Sequence, residues 1–63
     1  MYYRGIPYVI LGPKCRKIER VKRTIIVYIT SNDKLETTCL NCTWYSAIGI
    51  AERLIDGYYD NGG

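Results

Sequence analysis

Residues 24–30, Thr-Ile-Ile-Val-Tyr-Ile-Thr, constrain this chain more than any other stretch. All seven are β-branched or aromatic, the types that fit a pleated, half-buried surface. Successive side chains of a strand point to opposite faces, so Ile25, Val27 and Ile29 share one face and Ile26 and Tyr28 the other. Apolar residues on both faces predict a central strand. With 63 residues there is room for one core, hence one small domain spanning 1–63. Apolar residues make up 48% and charged residues 24%, which excludes a disordered chain.

Other elements arrange themselves around that strand. Gly5 to Leu11 reads as a short strand over 5–11, placed at an edge because Pro7 cannot donate to a ladder. Gly12-Pro13 ends it, and residues 14–20 read as a loop or an early extension of a second strand covering 21–30. Ser31-Asn32-Asp33-Lys34 is a turn signal, followed by a third strand over 35–40. Asn41 and Thr43 are candidate helix caps. From Trp44, apolar residues recur at helical spacing through Ala47, Ile48, Ala51, Leu54, Ile55 and Tyr58, predicting a helix over 44–58. Gly57 is either a stop or an interior weak point, and 60–63 reads as a frayed tail. The expected fold is α+β, a three-stranded antiparallel sheet followed by one C-terminal helix, β-β-β-α. Its expected core is Ile6, Ile25, Val27, Ile29, Ala47, Ile48, Ala51, Leu54 and Ile55.

Charge divides the chain into a basic and an acidic region. Residues 14–23 hold six basic residues against Glu19, a local +5, within a net charge of +3. Residues 33–63 hold Lys34 and Arg53 against five acids, a local −3. A basic segment is either a solvated turn or a surface for an acidic partner, nucleic acid first. Arg16, Lys17, Arg20, Lys22 and Arg23 are its candidate phosphate contacts.

Catalytic groups are scarce. The chain has no histidine, the commonest general base and metal ligand. Glu52 and Asp56 lie four apart on the helix, which reads as a solvated face, and no glycine-rich phosphate loop is present. An enzyme is not expected, and no cofactor. Cys39-Leu40-Asn41-Cys42 is a C-x-x-C ahead of a helix start, where a thiol pKa is lowered. A zinc site would add Cys15 and still lack a fourth ligand. Three cysteines without a secretion signal read instead as reduced residues of a cytoplasmic protein. The longest apolar run, Ile25 to Ile29, has five residues against about 20 for a membrane span, so no membrane role is expected.

Seven tyrosines and no phenylalanine suit half-exposed surfaces and interfaces. Tyr8, Ile10, Ile26, Tyr28 and Leu40 are expected on a sheet face without a helix. Tyr8, Ile26 and Tyr28 are the candidate contacts there for a partner protein or a second copy of the chain.

The opening Tyr3-Arg4-Gly5-Ile6, the strands and the Ala- and Ile-bearing helix resemble AP2/ERF-type DNA-binding domains. The run Tyr3-Arg4-Gly5-Ile6-Pro7-Tyr8 is also similar to short cyanobacterial domains that open Tyr-Arg-Gly-x-x-Tyr. The first resemblance implies three strands on one helix, DNA read by the sheet, and Arg4 as a contact. This strand lacks the Arg and Trp of an AP2/ERF first strand. In size and tyrosine content the chain also resembles phage-encoded accessory proteins that inhibit a host protein. The expected function is a small binding module: nucleic acid first, a protein-binding regulator or inhibitor second, a thiol or zinc site at Cys39 and Cys42 third.

Overall fold

The computed structural model describes residues 1–62. In chain order the elements are β1 (Tyr2–Tyr3), β2 (Ile6–Leu11), β3 (Val21–Tyr28), β4 (Lys34–Cys42) and α1 (Trp44–Gly62). The strands form one antiparallel sheet in the order β1-β2-β3-β4, and α1 packs on one face of it. The α+β class and the C-terminal helix are as expected, but the sheet has four strands rather than three.

The added strand comes from the Tyr-Arg-Gly-Ile opening. Arg4 at φ 53° and Gly5 at φ 82° are the two central residues of a tight hairpin closed by the Tyr3–Ile6 pair. Positive φ at both centres is the turn whose twist matches its flanking strands. Met1 extends the ladder: its carbonyl accepts from the Tyr8 amide at 2.8 Å and its amino group donates to the Tyr8 carbonyl at 3.1 Å. Strand β2 is therefore covered by β1 as far as Tyr8, and only its outer half is an edge. Pro7 lies between two residues whose backbone faces β1, so its missing N–H falls on the β3 side. There the ladder begins only at Tyr8–Val27.

Alternation sets the two faces. Ile6, Tyr8, Ile25 and Val27 point toward the helix, where Ala47, Ala51 and Ile55 meet them. The two alanines let the helix approach β3 closely, and Ile25 and Ile55 are fully enclosed. Each such isoleucine contributes about 1.5–3 kcal/mol of burial. Tyr8 and Ile10 were expected on the uncovered face. The pairs Tyr8–Val27 and Ile10–Ile25 put both under the helix instead, with Tyr8 only 4% exposed. A strand that is apolar on both sides does not declare its parity. Ile26, Tyr28 and Leu40 do lie on the uncovered face, joined by Pro7, Val9 and Leu11. Ile48 is half-buried, and Ile50 packs on the core in its place.

Strand β3 ends at Tyr28, where Thr30 turns the chain. Its amide donates to the Asp33 carbonyl, and its Oγ1 accepts from the Asn32 and Asp33 amides at 3.2 and 3.0 Å. Strand β4 runs to Cys42, two residues past the expected end. Thr43 caps α1 by accepting from the Ser46 amide at 3.1 Å. The helix passes through Gly57 to Gly62, so residues 60–62, expected in a tail, are helical. Gly63, the rest of that tail, lies outside the described residues.

Candidate nucleic-acid interface

Residues 12–20 join β2 to β3 and carry most of the basic segment. The loop is organised by Arg23, the charged residue buried in the protein interior at 4% exposure. Arg23 stands in β3 on the helix side, opposite Cys39. Its Nε donates to the Cys42 carbonyl at 2.9 Å. Its Nη2 faces the Glu19 carbonyl at 3.2 Å, the Arg16 carbonyl at 3.3 Å and the Cys15 Sγ at 3.4 Å. Three backbone acceptors thus solvate a buried cation, which would otherwise be costly. Arg23 was expected to contact phosphate; its burial removes it from the outer surface.

The loop turns the carbonyls of Arg16, Lys17 and Glu19 and the Cys15 thiol inward, and its charged side chains outward. The Lys17 carbonyl accepts from the Trp44 amide at 2.8 Å, an orphan donor of the helix start. The Glu19 amide donates to the Arg16 carbonyl at 3.1 Å, and the Glu19 carboxylate accepts from the Arg16 amide at 3.3 Å. Lys14, Arg16, Lys17, Arg20 and Lys22 are left exposed, with Ile18 exposed among them. Glu19 lies 4.0 Å from the Arg16 guanidinium, too exposed a pair to neutralise the patch.

Between the loop and the helix start lies a cleft of about 350 Å³. Ile10, Pro13 and Trp44 give it apolar walls, and Lys14, Lys17 and Arg23 make it positive. Lys17 Nζ and the Arg23 guanidinium stand 5.9 and 6.0 Å from the indole centroid. Gly12 lets the loop close on β3: a Cβ there would lie 3.3 Å from the Lys22 carbonyl oxygen. The charge count alone pointed to the patch but not to this cleft, which needs Trp44 brought beside a loop that precedes it by about thirty residues in sequence.

Arg4 lies at the other end of the helix, about 18 Å along its axis from Trp44. Its Nη1 donates to Asp56 Oδ1 at 2.8 Å, its guanidinium covers the Tyr59 ring at 4.4 Å, and its carbonyl accepts from the Tyr59 hydroxyl at 3.2 Å. The Tyr3 hydroxyl donates to Asp56 Oδ2 at 3.2 Å. Burial, then the neighbouring carboxylate, holds the Tyr3 phenol above its ordinary pKa. This cluster fastens the first hairpin to the helix and is separate from the basic loop.

Cys39 and Cys42 are joined by a disulfide, not reduced as expected. In a regular strand, residues three apart point to opposite faces. Here Leu40 and Asn41 together oppose Lys22, between the pairs Arg23–Cys39 and Val21–Cys42. That bulge restores a common face and brings the cysteine Cα atoms to 5.9 Å. Cys15 remains a free thiol against Arg23. Among the described residues no three Cys, Asp or Glu side chains gather as a metal-holding group. No described helix is long and apolar enough to cross a membrane.

Comparison with protein-family models, curated proteins and solved structures finds no match to this chain. The AP2/ERF likeness therefore stands on its few residues alone, and Arg4, the contact it implied, is held by Asp56 and Tyr59.

Proposed function

We propose that this protein is a small non-enzymatic module that binds nucleic acid by its phosphate backbone, through Arg16, Lys17, Arg20 and Lys22 with Lys14 beside them. One observation carries the reading. A buried arginine draws the loop carbonyls inward, so five cations stand exposed on a single pinned segment. A preorganised cationic surface loses less entropy on binding than a free basic tail, and lysine and arginine on such a surface release counterions from a phosphate chain. Arg23 acts in this scheme as the support of the loop.

The double variant Arg20→Glu/Lys22→Glu tests it. Both side chains are exposed, so the fold should persist by circular dichroism while affinity for any nucleic acid falls at least tenfold. Unchanged affinity in a folded variant would contradict the proposal.

The uncovered sheet face supports a second reading, a protein-binding regulator or a homodimer. Val9, Ile26 and Tyr28 line it, with Leu11 51% and Leu40 76% exposed. Apolar faces of this kind mark association surfaces. Under this reading Tyr28→Glu releases the partner or dissociates the dimer in sedimentation and leaves nucleic-acid binding intact. The first reading requires the opposite pattern from the charge variant.

A further inference from the structure

The cleft beside the loop has a property that backbone binding does not use. Its volume of about 350 Å³ lies at the lower end of the range for small-ligand pockets. Trp44 supplies an aromatic wall, with the Lys17 ammonium and the Arg23 guanidinium over its ring and Lys14 beside it. Arg23 reaches it from below. Its Nε and Nη2 are occupied by protein acceptors, whereas Nη1 makes no hydrogen bond among the described residues. Among the described residues no buried side-chain nitrogen lacks a partner, so Nη1 is reached by solvent where Arg23 lines the cleft, and its donors are open to a ligand acceptor there.

We infer that this cleft takes one unpaired nucleobase of a single strand, which displaces the exposed Lys17 ammonium from the Trp44 ring, stacks there and turns an acceptor edge toward Arg23 Nη1. The adjoining phosphates lie on Lys14 and Lys17. The inference rests on the nucleic-acid reading and narrows it from any phosphate chain to a single strand. Three features favour this occupant. The aromatic wall suits a flat π-face, which every base has. The flanking cations suit the phosphates on either side of that base. Bases in a duplex are stacked and paired and cannot enter without being extruded, so the cleft discriminates against duplex.

Trp44 is the only tryptophan, so its intrinsic fluorescence reports on the cleft without a label. The full-length chain is titrated with an oligothymidylate strand and with a blunt duplex of equal length, while anisotropy of labelled copies follows total binding. The single strand should quench Trp44 and bind about tenfold or more tighter than the duplex, as expected for one stacked base. The duplex should bind through the loop with little quenching. Trp44→Leu, checked for folding by its thermal melt, should remove the single-strand preference. Saturating oligothymidylate that leaves the tryptophan emission unaltered would overturn the base site while the backbone reading stood. Absence of anisotropy change with both probes at low salt would overturn both. The quenching arm uses the unaltered protein and holds even if the Trp44 variant fails to fold.

Discussion

Arg23 and Cys42, nineteen residues apart in sequence, are joined by a 2.9 Å hydrogen bond from the guanidinium Nε to the backbone carbonyl. This bond ties the bulged end of β4 to the strand that carries the basic loop. The Nη2 of Arg23 holds that loop at the Arg16 and Glu19 carbonyls.

Arg23→Met should therefore lower stability by about 2–3 kcal/mol, because it removes the side-chain donor to the buried Cys42 carbonyl and to the part-buried Glu19 carbonyl, while the Arg16 carbonyl keeps the Glu19 amide. Arg23→Lys should recover little, since one ammonium cannot span the same acceptors. Urea unfolding monitored at Trp44 measures this; a loss below about 0.5 kcal/mol for Arg23→Met would refute the role of Arg23 as the loop support.

The disulfide closes a short loop, for which chain entropy gives about 2 kcal/mol. Cys39→Ser/Cys42→Ser should lower stability by that amount, and reductant should lower the melting temperature of the wild type but not of the double variant. A wild-type melt insensitive to reductant would contradict the Cys39–Cys42 bond.

Gly5 sits at φ 82° with open space around its α-carbon, so backbone strain rather than crowding governs substitution there. Gly5→Ala should cost about 1–2 kcal/mol. A neutral Gly5→Ala would show that the Arg4-Gly5 turn is not maintained in solution.

The phenols of Tyr3 and Tyr8 both have raised pKa values, in each case chiefly from burial and then from a carboxylate, Asp56 and Glu52 respectively. The folded state thus retains these protons longer than the unfolded chain. Their contribution is complete below the ordinary tyrosine pKa near 10 and is lost as pH rises through the folded values. Denaturation midpoints should decline from about pH 9.5 upward, and Tyr8→Phe should flatten that decline. An identical decline in Tyr8→Phe would remove Tyr8 from the account.

Much of this fold is legible where a residue pattern has one physical meaning. Residues 24–30 form the central strand as far as Tyr28 because their β-branched run fits a pleated sheet and little else. The stripe through Ala47, Ala51 and Ile55 forms the helix face that meets it. The same alternation that turns Ile25 and Val27 inward also turns Arg23 inward, but its charge reads as a solvent-facing residue until its backbone acceptors are known. Strand β1 has only two residues, too few to show a period. The bulge at Leu40-Asn41 leaves no mark in composition, yet it decides whether Cys39 and Cys42 share a face. For the candidate site, the charge pattern marks Arg16, Lys17, Arg20, Lys22 and Arg23 alike, and only the fold separates the buried Arg23 from the four exposed residues. Trp44 was absorbed into the helix stripe, because nothing local links it to Lys14 or Arg23.

The salt dependence of binding tests the proposed nucleic-acid interface. Anisotropy of a labelled duplex is followed from low to physiological salt with the unaltered protein. With Arg16, Lys17, Arg20 and Lys22 on phosphates, log K should fall linearly with log salt, at a slope near −0.9 for each phosphate neutralised. Four contacts give a slope between about −3 and −4, reduced by about 2 in Arg20→Glu/Lys22→Glu. A slope near zero, or no binding at the lowest salt, would contradict a nucleic-acid interface on this loop.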